Sequence, residues 1–156
     1  MLNIDKLKTK EWNDSYDRGE NHFFKPCSEL ICFVSHYLRR RVNWLEFEDV
    51  LPRAQGCRVL DVGCGIGRNL IFGTEWGFDM YGNDLSSRAV EIAQEGLEKK
   101  TTLDGKDRVI AADIRKLPWG DKFFDHVFSD RTLDSMRFEF AQEALSEIAR
   151  VVKPGG

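Results

Sequence analysis

The chain has 156 residues, 42% hydrophobic and 31% charged, with a formal net charge of -3. That length suits one domain around one buried core, and the charge points to neither a nucleic-acid nor a membrane partner. No apolar run approaches the ~18 residues that span a bilayer. The first residues, Met1 to Lys6, lack the apolar core of a secretion signal, and four cysteines with three histidines form no Cys-x-x-Cys pair. Neither a metal site nor a disulfide framework is expected, and a reducing cytoplasm fits best.

Residues 1–55 read as a helical segment. Trp12 and Tyr16 lie four apart and share a helix face, and Gly19 is a stop. Pro26 opens a second helix, with Leu30, Ile31, Phe33, Val34, Tyr37 and Leu38 near 3.6-residue spacing. Arg39-Arg40-Arg41 is the basic run of the chain and reads as a solvated helix face. Residues 52–56 form a connector.

From residue 56 onward the pattern alternates. Strands are expected at 58–62, 79–83, 108–112 and 124–129. Helices are expected at 68–76, 87–99 with Ser86 as N-cap, and 139–152. Strands alternating with helices predict an α/β domain, a parallel sheet covered by helices on both faces.

Ligands of such sheets bind beyond the carboxyl ends of the strands. The first strand runs into a turn containing Gly63, Gly65 and Gly67, and a helix follows at once. Glycine admits positive φ and close ligand approach, and the helix start offers unpaired N–H groups. The chemistry is therefore expected within residues 61–69, Cys64 and Asn69 included. Asn83-Asp84, Asp113-Ile114 and Ser129-Asp130 stand at the other strand ends. A single Asp at such a place is a common cap. A carboxylate at each end, around one glycine turn, favours a shared polar ligand. Asp84 lies 19 residues beyond Gly65, where a carboxylate can accept from a ribose diol. The dinucleotide fingerprint itself fails, because Arg68 and Leu70 stand where its third glycine belongs.

Asp61-Val-Gly-Cys-Gly-Ile-Gly67 resembles motif I of the class I S-adenosylmethionine-dependent methyltransferases. Tyr81-Gly-Asn-Asp-Leu-Ser86 is similar to the end of that family's second strand. Residues 112–118 and 124–128 are similar to its third and fourth strands, and residues 150–156 to the turn before its fifth. The resemblance covers residues 55–156. It implies a Rossmann-like three-layer α/β/α sheet that stops after the helix following strand four, with 1–55 as a lid and 56–156 as the cofactor-binding domain. Residues 11–19, with Trp12, Tyr16 and Gly19, are similar to the lid helix of thiopurine methyltransferase-like enzymes. An aromatic pair packed on the core is the other reading of them.

The resemblance also implies site roles. S-adenosyl-L-methionine would be the cofactor and S-adenosyl-L-homocysteine the product. Asp61 and the Gly63–Gly67 backbone would hold the methionine part. Asp84 would bind the ribose hydroxyls, Leu85 would pack on adenine, and Asp113 with the Ile114 backbone would receive the adenine amino group. Ser129 or Asp130 would face the methionine end. Methyl transfer is then an in-line displacement that asks chiefly for alignment and exclusion of water. A base is needed only for a protonated acceptor, and His22, Asp130 and Asp134 are the candidates. His22 reads equally as a solvated or capping residue, and His126, inside a strand, as packed or surface-facing.

Ser129-Asp-Arg-Thr132 differs from the Asn/Asp-Pro-Pro-Tyr/Phe of amino-directed nucleic-acid and glutamine methyltransferases, and no cysteine stands there. A small-molecule acceptor is expected first, a protein second. A non-catalytic cofactor-binding protein and a nucleotide-dependent oxidoreductase are the other classes, the latter opposed by the failed fingerprint. Pro154-Gly155-Gly156 reads as a loop that leads into another element, so strand four is expected to be an exposed edge prone to self-association.

Overall fold

A computed structural model describes residues 3–156. Helix α1 (Asn3–Asp17) brings Trp12 and Tyr16 to one face, their ring centroids 6.3 Å apart. Helix α2 (Ser28–Phe33) runs into a π-helical turn, Val34–Leu38. A hairpin follows, β1 (Arg39–Arg41) paired antiparallel with β2 (Phe47–Asp49).

The hairpin corrects the helical reading of residues 39–55, and Arg39-Arg40-Arg41 is a strand. Opposite charges meet across it: Arg40 lies 2.7 Å from Glu48, and buried Arg39 lies 3.6 Å from Asp49. Such cross-strand pairs stabilise a ladder by roughly 0.2–1 kcal/mol each. At the tip, Asn43 Oδ1 accepts from the N–H groups of Leu45 and Glu46, closing the turn.

The main sheet contains β3 (Arg58–Val62), β4 (Asp79–Asp84), β5 (Val109–Ala111) and β6 (His126–Ser129), in the order β5-β4-β3-β6 and all parallel. Between them come α3 (Arg68–Glu75), α4 (Ser87–Lys100) and the short α5 (Gly105–Arg108), which Asp104 caps through the Lys106 N–H. Helix α6 (Phe138–Val151) follows β6. The third strand is thus shorter than expected, because α5 takes its first residue. The fourth starts two residues late: Phe124 makes a parallel bridge to Val152 instead.

Strand alternation sends side chains to two cores. Val59, Met80 and Val109 pack with Leu70 and Phe72 of α3 and with Val90, Ala93 and Leu97 of α4. Leu60, Val62 and Val127 pack with Ala144, Ile148 and Val151 of α6. The result is the α/β/α layering expected from the pattern, and each fully buried Leu or Val contributes about 1.5–3 kcal/mol. Helix α1 sits over the start of α4: Ser86, the α4 N-cap, accepts from Ala89 and donates to Asn13 at 2.6 Å. This places the α1 aromatics beside the carboxyl ends of the strands.

Candidate functional site

The turn after β3 is fixed by backbone. The N–H groups of Gly63 and Cys64 both donate to the Asn83 carbonyl at 2.8 and 2.9 Å, which joins the turn to the end of β4. Gly63 has φ +72, and a side chain there would collide with Thr132. Gly65 has φ +53, and a Cβ would meet the Tyr16 hydroxyl at 2.9 Å. Both positions therefore need glycine, for conformation and for space.

Asp84 closes the cradle. One carboxylate oxygen accepts from Gly65 N–H and the other from Ser86 N–H, each at 2.9 Å. Burial raises its pKa, and the hydrogen bonds from Ser86, Gly65 and Leu85 draw it back part of the way. Asp61 lies deeper, 1% exposed, and both its oxygens lack a hydrogen-bond partner among the described residues. Desolvation pushes its carboxyl up to about 8; nearby Asn69 opposes the shift, while Asp130 and Asp84 add to it. Asn83 Oδ1 and Ser129 Oγ are likewise buried and partnerless.

The other strand-end carboxylates are held by arginines. Arg115 forks onto Asp113, with Nε 3.0 Å from both oxygens, and also donates its backbone N–H at 2.9 Å. Burial would raise Asp113, but these hydrogen bonds outweigh it and hold the carboxyl below its ordinary value. Asp130 forms a half-buried ion pair with Arg68, whose guanidinium also donates to the Lys25 carbonyl at 3.2 Å. Arg131 takes φ +56, an uncommon conformation for a residue with a side chain, at a cost of roughly 1–2 kcal/mol.

A cavity of about 420 Å³ opens over these strand ends. Of the expected residues, Gly63, Cys64, Gly65, Asn69, Asp84 and Leu85 line it, and so do Asp113, Ile114, Asp130, Trp12 and Tyr16. Asp61, Gly67 and Ser129 do not: Asp61 and Ser129 Oγ lie buried, and Gly67 precedes α3 with φ +80. His22 lies in an adjoining cleft, its Nε2 3.0 Å from the Tyr16 carbonyl, and Asp134 lies outside both. The structure adds Phe23, Arg68, Asn83, Arg115, Thr132 and Phe140 to the lining. Asn83 and Thr132 stand at strand ends that the sequence marks, though without a site role assigned to them there. Arg68 and Arg115 are marked in the sequence only by nearness to Gly67 and Asp113, and Phe23 and Phe140 carry no local mark.

Chemically, the site presents a backbone cradle, carboxylate acceptors and an apolar wall. A ligand with hydroxyl and ammonium donors on a flat ring system would satisfy them.

The profile of the family described as methyltransferase domain matches residues 59–156. An O-methyltransferase of Aspergillus nomiae is 32% identical over 111 residues, covering 70% of this chain and 48% of its own. A sterol 4-C-methyltransferase of Caenorhabditis elegans is 29% identical over 147 residues, covering 92% and 41%. Among solved structures, a Pyrococcus horikoshii protein matches with TM-score 0.60 and 28% identity over 67% of this chain and 45% of its own. A solved 4+2 cyclase matches with TM-score 0.61 and 28% identity over 82% and 42%. The chain belongs to the class I S-adenosylmethionine-dependent methyltransferase family. It spans about 41–48% of the length of the first two relatives.

Proposed function

We propose that this chain forms the cofactor-binding part of an S-adenosylmethionine-dependent methyltransferase that acts on a small-molecule acceptor. The observation that carries the reading is the closure of the glycine turn by Asp84, through the 2.9 Å bond from Gly65 N–H, at the wall of the cavity. In this reading Asp84 serves the ribose hydroxyls, and Leu85 and Ile114 line the adenine. For Asp113 to accept from the adenine amino group, it must share its carboxylate with Arg115. The partnerless Asp61 carboxylate fits the demand of an ammonium group.

Bound S-adenosylmethionine would supply a methyl group already activated on a sulfonium. The chain then has to align and to exclude water, which can supply ~7–11 kcal/mol. Trp12 and Tyr16 wall the cavity for the second task. For a protonated acceptor, His22 and Asp130, which line the adjoining cleft, are the candidate proton acceptors, Asp130 already shared with Arg68. O-methyltransferases and sterol methyltransferases among the relatives support a small acceptor.

The test is calorimetric titration with S-adenosylmethionine, S-adenosylhomocysteine and NAD. Micromolar binding of the first two and none of NAD is expected. Binding of NAD alone, or of none, overturns the reading. Cofactor binding without methyl transfer is a second reading, since one structural relative is named as a cyclase and not as a methyltransferase. Binding without turnover over a panel of acceptors would support it.

A further inference from the structure

A second cleft adjoins the cavity, formed by residues 22–29 and by the end of β6. The two share Phe23, Arg68, Asp130 and Arg131. Both guanidiniums lie over the Phe23 ring, with Arg68 at 5.9 Å and Arg131 at 5.6 Å from its centroid. The junction is thus an aromatic plate under two cations. The cations are not equivalent. The Arg68 side chain is 15% exposed and committed to Asp130 and the Lys25 carbonyl. The Arg131 side chain is 60% exposed, and its nearest carboxylate is Asp130 at 3.7 Å, already taken by Arg68. Among the described residues its guanidinium makes no hydrogen bond.

Charge balance sharpens the contrast. The whole chain is net -3, yet the two clefts are lined by six Lys and Arg against four Asp and Glu. The cofactor does not call for this surplus. A sulfonium, an ammonium and one carboxylate leave it net positive. Even with Asp61 ionised against that ammonium, the lining keeps an excess cation that an anionic group could meet.

We propose that the methyl acceptor enters through this second cleft and carries an anionic group, carboxylate, sulfate or phosphate, on an apolar ring-bearing body. Arg131 reads the anion and Phe23 carries the ring. Arg131 combines a positive φ with a guanidinium that lies 5.6 Å from the Phe23 centroid and is still 60% exposed, so it is open to a ligand in the cleft. A guanidinium held only by a 3.7 Å contact to a carboxylate that another arginine already holds keeps its N–H donors available, and its planar fork suits a planar or tetrahedral anion. The proposal rests on the cofactor reading for the word acceptor, but its anion site stands independently.

The test uses two dyes with one aromatic body: anilinonaphthalene sulfonate and its sulfonate-free parent, phenylnaphthylamine. Each is titrated by fluorescence into the chain saturated with S-adenosylhomocysteine. The sulfonate should bind at least about tenfold tighter than the neutral parent. Arg131→Gln should abolish that preference, whereas Phe23→Ala should weaken both dyes and leave their ratio unchanged. Equal affinities, no binding of the sulfonate, or a preference that survives Arg131→Gln overturns the proposal. S-adenosylhomocysteine affinity is read by calorimetry on each variant. If the wild-type chain does not bind it, the cofactor reading falls, and the dye preference is still read on the free chain.

Discussion

Replacing Asp61 by Asn should stabilise this protein, and by an amount that depends on pH. The carboxyl is 1% exposed, has only nearby Asn69 to oppose its desolvation, and is pushed up to about 8. In the unfolded chain it titrates near ~3.9. The native state therefore keeps the proton across a range where the unfolded chain releases it. Between about pH 4 and pH 8 the unfolded state binds fewer protons, so stability falls as pH rises and levels off above about 8. At pH 7 the gap of roughly three units is about 4 kcal/mol, and at pH 5 about 1 to 2 kcal/mol. Asn keeps the shape and never ionises. Urea unfolding of both chains at pH 5, 7 and 9, without cofactor, reads the difference. The advantage of the variant should grow from pH 5 to pH 7, with the wild-type midpoint falling relative to that of Asp61→Asn. Parallel pH dependence in the two chains would refute the reasoning, because the penalty then lies elsewhere.

Cofactor binding should couple to the same proton. If an ammonium meets Asp61, binding ionises it and releases a proton near pH 7, seen as a dependence of calorimetric heat on buffer ionisation enthalpy; Asp61→Asn should abolish it. Gly63→Ala should cost at least ~2 kcal/mol of stability, since φ +72 and the Thr132 side chain both oppose a methyl there; an unchanged unfolding midpoint would contradict the clash. Asp84→Asn leaves one acceptor where two backbone N–H groups now bond. It should weaken S-adenosylhomocysteine binding by roughly 1–3 kcal/mol, and equal affinity removes Asp84 from the site. Strand β6 is the outer strand of the described sheet, so the chain should self-associate with rising concentration. Light scattering that shows a stable monomer at high concentration answers this in the negative.

Residues 58–100 were legible almost to the residue because their signals are local. An apolar run ending in spaced glycines, a Ser cap at 86 and period-3.6 helices need no distant contact to be read. The hairpin at 39–49 was not legible, since apolar positions at helical spacing run up to Leu38 and three arginines make a weak strand. What holds it is cross-strand pairing of Arg40 with Glu48 and the Asn43 turn. Asn43 was its one local clue. In the site, the carboxylates at strand ends could be listed from sequence, but not their partners. Arg68 meets Asp130 across 62 positions, and Phe23 reaches the cavity from a segment with no regular structure. Such placements belong to the tertiary fold.

The buried polar atoms without partners tie stability to function. Asp61, Asn83 and Ser129 all lie toward the carboxyl ends of adjacent strands, under one turn. A packed core of the same shape would be more stable without them, because each buried unpaired group costs about 1–3 kcal/mol. Their gathering where the sheet can receive a ligand is what a site looks like before its donors arrive. Stability and affinity must then respond with opposite sign at Asp61. The Asn variant should unfold later and bind S-adenosylhomocysteine more weakly. A variant that gains both would place the carboxylate outside the site, as a defect of packing alone.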